Sequence, residues 1–269
     1  MTGDLSGRVV LVTGATDGLG RGLAAALRRQ GAEVLVHGRD PERIAATVGD
    51  LGGGPHVRSY RADFSSLDEV RGLAQEVLAC EPRLHVLVNN AGIGASVPGG
   101  RARLESADGL ELRFAVNYLA GYLLTRELLG RLRDSAPARI VNVSSAGQMA
   151  LDFADLMLER DYSGVRAYCQ SKLAQILFTI DLAERLRGEQ ITVNALHPAT
   201  YMPTKIVTAA PRSELREGVE ATLRLIADPA LDGVSGRWFW GLDETDPDPQ
   251  AFDPAARERL RAVSEELVA

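Results

Sequence analysis

Tyr168 and Lys172 stand four residues apart in Ala167-Tyr168-Cys169-Gln170-Ser171-Lys172, inside a stretch that reads as helix. On a helix, that spacing puts the phenol and the ammonium one turn apart on the same face. A cation so placed favours the phenolate and lowers a pKa that otherwise sits near about 10. A phenol tuned in this way can exchange a proton with an alcohol or a carbonyl oxygen at neutral pH. Alone, such a pair is more often a half-buried tyrosine beside a surface lysine. Its weight comes from what else the chain carries.

Thr13-Gly14-Ala15-Thr16-Asp17-Gly18-Leu19-Gly20 follows the first apolar run and opens the first helical segment. Gly14 permits a sharp turn, Gly18 lets the backbone approach a diphosphate, and Gly20 allows close helix–strand packing. The helix N-terminus aims free N–H groups at phosphates. Gly14, Thr16, Asp17, Gly18, Leu19 and Gly20 therefore form a candidate cofactor-binding loop, in which Asp17 reads first as the helix cap.

Elements that end along one edge must position these groups. Strands are expected at residues 9–12, 33–37, 56–61, 84–89, 138–143, 191–196 and 236–240, and helices at 19–29, 41–48, 66–79, 109–133, 165–187 and 254–267. Apolar strands alternating with helices predict an α/β fold, a doubly wound parallel sheet covered on both faces. Its ligands bind at the carboxyl ends of the strands. No repeat or long linker divides residues 1–269, so a single domain is expected, and the Asp- and Pro-rich stretch 243–254 reads as a surface loop.

Composition narrows the function classes. An apolar fraction of 45% suits a chain that buries a full core. The formal charge is −6, and the 30 basic residues are scattered among 36 acids, which leaves no nucleic-acid footprint. Cys80 and Cys169 have no CxxC or histidine-rich company, so neither a disulfide framework nor a metal site is expected. A strand beginning near Arg8 leaves no room for a signal peptide. No apolar run approaches the roughly 18 residues of a membrane span. A cytoplasmic location without a membrane partner is the expectation.

The glycine loop, Asn89-Asn90-Ala91-Gly92 after the fourth strand, and Tyr168-x-x-x-Lys172 together resemble the short-chain dehydrogenase/reductase family. Tyr168-Cys169-Gln170-Ser171-Lys172-Leu173-Ala174 and Asn194-Ala195-Leu196-His197-Pro198 look like its retinol-dehydrogenase-like branch. The resemblance implies a Rossmann fold and an oxidoreductase that interconverts a ketone or aldehyde with an alcohol. It implies that Tyr168 gives the proton as hydride reaches the carbonyl carbon, and that Ser145 holds the substrate oxygen, with Ser144 the runner-up. It further implies that Lys172 lowers the Tyr168 pKa and grips the nicotinamide ribose, while Asn117 anchors a water leading from Lys172 to solvent. Asp63 and Phe64 match the adenine side, Asn90, Ala91 and Gly92 the ribose side, and Pro198, Thr200 and Thr204 the nicotinamide side of the cofactor, which Tyr168 and Lys172 also touch.

Cofactor choice turns on Val36-His37-Gly38-Arg39-Asp40. Gly38 stands where an NAD-preferring member carries an acid, and the Arg39 guanidinium suits a 2′-phosphate. NADP(H) is favoured, with NAD(H) the alternative if the register shifts to Asp40, whose other role is the N-cap of the following helix. Two segments depart from the family's commoner pattern. Residues 149–163 lengthen the gap between Ser145 and Tyr168 and could border the substrate. Pro198-Ala199 replaces Pro-Gly, Thr204 lies one position late, and 201–212 reads as a lid. Together with the segment after Gly94, these would wall a pocket for a small carbonyl or alcohol substrate. The two longest helices imply pairing into a homodimer or homotetramer. A non-catalytic dinucleotide sensor on the same fold is the alternative reading, and a sugar-nucleotide epimerase would want a larger C-terminal domain.

Overall fold

Strand residues are apolar on both sides because helices cover both sides. The computed structural model describes residues 4–96, 102–207 and 209–269. In it, Val10, Val12, Val34 and Val36 enter one core, while Val9, Leu11 and Leu35 enter the other. This is the period of two that a pleated strand imposes. The strands are β1 (Val9–Val12), β2 (Glu33–Gly38), β3 (Val57–Arg61), β4 (Val86–Asn89), β5 (Ala138–Val143), β6 (Ile191–His197), β7 (Trp238–Trp240) and β8 (Asp243–Glu244). They form one sheet in the order β3-β2-β1-β4-β5-β6-β7-β8, and all neighbours are parallel except β7 and β8. The chain reverses its direction of winding between β1 and β4. In such sheets a reversal of this kind is where a crevice forms, at the carboxyl ends of the strands.

On one face lie α1 (Gly18–Arg29), α2 (Pro41–Asp50) and α6 (Leu215–Ala227). Leu19, Leu23 and Leu27 recur every four residues on α1 and are buried, each contributing about 1.5–3 kcal/mol by leaving water. The other face carries α3 (Leu67–Cys80), α4 (Ala120–Asp134), α5 (Gly164–Arg185) and α7 (Pro254–Leu267). Among the described residues, no helix is long and apolar enough to cross a membrane.

Three features depart from the sequence expectation. The helix expected from 109 begins later, as a π-helical stretch at Phe114–Leu119 that leads into α4. Such a stretch often marks a functional position, and this one carries Asn117. Helix α6 was not expected, although Glu214 and Glu217 form a reciprocal capping box at its start. The supposed surface loop after 243 contains β8 and a 3₁₀ turn at Pro249–Phe252. Helix α7 of the same chain packs against α5. Arg257 and Arg261 pair with Glu184 and Asp181, and Tyr118 bonds Ser264 at 2.7 Å.

The C-terminal segment also fastens the 149–163 insertion. Leu151 N donates to the Gln250 side-chain carbonyl at 2.6 Å, Asp248 N donates to Gln148 at 2.7 Å, and the Arg259 guanidinium lies over the Phe153 ring at 5.0 Å. Of the walls expected around the substrate, residues 97–101 after Gly94 and residue 208 of the lid lie outside the described residues.

Candidate active site

Ser163 caps α5 by accepting from Arg166 N, and the helix then carries Tyr168 and Lys172 past the end of β5. Ser144 and Ser145 follow β5 directly and turn opposite ways. Ser144 is buried and donates to the Lys172 carbonyl at 2.7 Å, which ties strand to helix. Ser145 is partly exposed, accepts from Gly147 N at 3.0 Å, and lies beside the Tyr168 hydroxyl. Ser145, not Ser144, therefore meets the phenol.

The Lys172 amine is buried and donates to the Val143 carbonyl and to Gln175 Oε1, both at 2.9 Å, and lies 5.9 Å from the centre of the Tyr168 ring. Asn117 is buried beside it. Its Oδ1 accepts from Ile93 N at 2.7 Å, and its Nδ2 donates to Ser171 Oγ at 2.9 Å. Gly92 lies between them, since a Cβ there would stand 3.2 Å from Asn117 Oδ1 and 3.6 Å from Lys172 Nζ. Asn117, Ser145, Tyr168 and Lys172 are thus gathered at one end of β4 and β5.

The electrostatics differ from the sequence expectation. Burial raises the Tyr168 pKa above its ordinary value, and the Ser145 hydrogen bond is what opposes the rise. Burial alone pulls Lys172 down to about 7. Helical spacing alone predicts a cation beside the phenol. Desolvation instead makes the lysine itself titrate near neutrality.

That shift has a measurable sign. Between about pH 7 and the ordinary lysine value of 10.5, the unfolded chain still holds a proton that the folded chain has released. Stability conferred by this site therefore rises with pH in that window, by at most about 1.4 kcal/mol per pH unit. In urea melts, wild type should gain stability relative to Lys172→Met on going from pH 7 to pH 9. A constant difference would show that the amine is not depressed.

The glycine loop faces the same crevice. Asp17 caps α1, accepting from Gly18 N at 2.8 Å, and its other oxygen takes Arg43 at 2.6 Å and Lys205 at 2.9 Å. Ala91 lies so close that a Cβ on Gly14 would stand 2.9 Å from its Cα, and the Asn90 amide donates to the Thr13 carbonyl at 2.7 Å. A Cβ on Gly20 would stand 2.3 Å from the Gly14 carbonyl and 2.6 Å from Asn90 Nδ2, so this helix–loop contact admits glycine only. Gly20→Ala should cost about 1–3 kcal/mol and lower the melting temperature by several degrees. It should weaken dinucleotide binding as well. A calorimetric scan and a coenzyme titration unchanged from wild type would contradict this packing.

Arg39 and Asp63, both expected at the cofactor, lie 4.0 Å apart, with the Arg39 side chain 72% exposed. Asp40 caps α2, accepting from Glu42 N at 3.0 Å and from Arg43 N at 3.3 Å, which settles it as a cap. Phe64 is buried and stacked on His37 at 4.4 Å, so its ring belongs to the core and not to the crevice. His37 was missed in the sequence. Its Nδ1 accepts from Gly14 N, and its Nε2 lies 3.1 Å from the Ala62 carbonyl, so a buried neutral imidazole braces the glycine loop against the end of β3. Burial draws its pKa down to about 4. One polar residue in the apolar run 34–38 was the available signal.

Past β6, Pro198 is buried, and Thr200 Oγ1 lies 3.1 Å from Nε2 of His197. The 201–207 segment crosses to the glycine loop, where the Thr204 methyl would stand 2.9 Å from a Cβ on Gly18. Met149, Val165, Tyr201, Ile206, Trp240, Leu242 and Phe252 are exposed large apolar residues. Among the described residues, no group of three or more His, Cys, Asp or Glu could hold a metal ion.

Comparison with known proteins agrees with this geometry. Residues 8–214 match the family model described as short chain dehydrogenase. Retinol dehydrogenase 11 of Homo sapiens is 42% identical over 283 residues, covering 99% of this chain and 87% of that one. Retinol dehydrogenase 14 of Mus musculus is 38% identical over 298 residues, covering 99% and 87%. Among solved structures, an uncharacterized protein from Mycobacterium paratuberculosis superposes with a TM-score of 0.83 at 30% identity, covering 99% of this chain and 95% of that one. The RhlG/NADP active-site complex of Pseudomonas aeruginosa gives 0.72 at 30% identity, covering 88% and 95%.

Proposed function

Because this chain belongs to the short-chain dehydrogenase family, in its retinol-dehydrogenase-like branch, we propose that it is an NADP(H)-dependent oxidoreductase of an apolar aldehyde or ketone and the corresponding alcohol, with Tyr168 as acid and base. The observation that carries this reading is Ser145 beside the Tyr168 hydroxyl at the carboxyl end of β5, with the Lys172 amine one turn along α5. The residues fit a dinucleotide. The Gly14–Gly20 loop admits no added methyl at Gly20 and leads into the N-terminus of α1, where backbone N–H groups attract phosphate.

In this reading, the bound nicotinamide supplies or accepts the hydride. The chain's residues manage the proton and the charge. Ser145 Oγ and the Tyr168 hydroxyl together take the carbonyl oxygen, which fixes its direction and stabilises negative charge growing on it. Tyr168 hands its proton to that oxygen. Lys172, with two of its three N–H bonds directed at Val143 and Gln175, keeps a third for the cofactor's ribose. Asn117 holds the 93 backbone and Ser171 together beneath the amine. In oxidation the same groups work in reverse.

The preference for NADP(H) is supported by Gly38. A Cβ there would stand 2.6 Å from the Thr16 methyl, so an acid for the ribose 2′-OH is excluded unless Thr16 moves, whereas Arg39 is free to turn toward a 2′-phosphate. Exposed apolar side chains on the 149–163 and 201–212 segments, Met149, Tyr201 and Ile206 among them, support a bulky, apolar substrate. The two free cysteines, one exposed, suit the reducing cytoplasm. An assembly of two or four copies would have to form around α7, which already lies on α5.

The test is turnover of a panel of apolar aldehydes, ketones and alcohols, followed by absorbance of the reduced nicotinamide. Reduction with NADPH is the expected result. Tight NADPH binding without turnover on any member would favour the dinucleotide sensor instead.

A further inference from the structure

Gln175 lies one turn beyond Lys172 on α5 and is buried, though it is long and polar. A buried amide must find partners or cost roughly 1–3 kcal/mol. Its side-chain carbonyl accepts from the Lys172 amine at 2.9 Å. Its own turn of helix is fixed to the sheet by a buried polar ladder. Thr179 Oγ1 donates to the Gln175 carbonyl at 2.7 Å, Asn142 of β5 donates to Thr179 at 2.8 Å, and Asn89 of β4 donates to Asn142 at 2.9 Å. The ladder runs through the two strands whose ends carry Asn90 and Ser145.

Resting on the reading above, we propose that Gln175 is a positioning residue: its side-chain carbonyl aims the Lys172 amine toward the crevice and sets how firmly that amine holds its proton. An ammonium buried with no anion needs oxygen acceptors to stay charged, and among the described residues two accept from it. The Val143 carbonyl comes from β5 and Gln175 from α5. The other groups around it are Tyr168 on α5, and Asn117 of the π-helical stretch across Gly92. None of these carries a charge at neutral pH, so the proton affinity of the amine depends on its acceptors. Burial alone accounts for its depressed pKa, consistent with a site that holds no counter-ion.

The chain has only two lysines, Lys172 and Lys205, which makes a direct test possible. With 13C at the lysine Cε, the side-chain spectrum of the full-length protein holds two signals, and Lys205→Arg assigns them. Gln175→Met removes the acceptor at similar volume and should move the Lys172 titration to lower pH. Gln175→Glu keeps the shape, adds a charge and should move it to higher pH, by roughly one unit or more in each case. The Lys205 signal should stay where it is. The pH limb of NADPH-dependent reduction should move in the same two directions. A merely structural role would lower the rate in both variants without opposite displacements.

Should the Met variant fail to fold, the isosteric Glu variant carries the test alone. A Lys172 titration unmoved in the folded variants would overturn the proposal. The titration is read without turnover. An inactive wild type would therefore count against the proposed reaction, while the NMR result still decides the role of Gln175.

Discussion

Replacing Tyr168 with Phe should abolish carbonyl reduction while leaving NADPH binding within about twofold of wild type. The change deletes one oxygen from a partly exposed ring whose other contacts stay in place. A positioned general acid contributes about 10²–10⁴-fold, and here the same hydroxyl also helps stabilise the oxygen on which charge grows, so a loss of at least about 10³ in kcat is expected. Deleting Ser145 Oγ should cost less, because the phenol still offers its proton. The raised Tyr168 pKa bears on direction. A tyrosine kept protonated well above neutrality is ready to reduce, and must first lose its proton to oxidise. Oxidation should therefore climb toward alkaline pH, while loss of the Tyr168 proton sets no limb on reduction near neutrality. Turnover by Tyr168→Phe within tenfold of wild type would remove the phenol from the chemistry.

Much of this architecture was readable because it rests on short-range rules. Four consecutive valines and leucines at Val9–Val12 can only be a strand buried on both faces, and Asp17, Asp40 and Ser66 at the caps behave as their side chains dictate. The gathering of Ser145, Tyr168 and Lys172 follows from the same logic, since each lies just past, or packs against, the carboxyl end of a parallel strand. What failed to read depends on long-range company. The π-helical turn at Phe114–Leu119 has ordinary helix composition, and only the tether of Asn117 to the 93 backbone across the crevice distinguishes it. The fully buried Arg113 gives the sequence no sign that it donates to the carbonyls of Gly94 and Ala95 and to the Tyr162 hydroxyl, fastening the loop after β4 to the insertion. The charge state of Lys172 was misjudged for the same reason. Spacing locates a neighbour but says nothing of how much water the fold removes.

Arg39→Ala should raise the Michaelis constant for NADPH by about 10–150-fold and that for NADH by less than about twofold. Arg39, Arg43 and Lys205 are not equally available to a phosphate. Arg43 and Lys205 are both bound to Asp17, the cap of α1, at 2.6 and 2.9 Å. Among the described residues, the Arg39 side chain meets Asp63 at 4.0 Å and is largely exposed, an ion pair worth little in water. Turning toward a phosphate therefore costs it almost nothing, and hydrogen bonds to a charged partner contribute about 1.5–3 kcal/mol, which sets the expected factor. NADH offers no such group and should scarcely register the loss. The neighbouring position points the same way. Gly38→Asp would press its Cβ against Thr16 and Ile44 before any carboxylate reached a ribose, so it should damage NADPH use without conferring good use of NADH. Equal losses for both coenzymes in Arg39→Ala would mean that this side chain shapes the loop and does not read the phosphate.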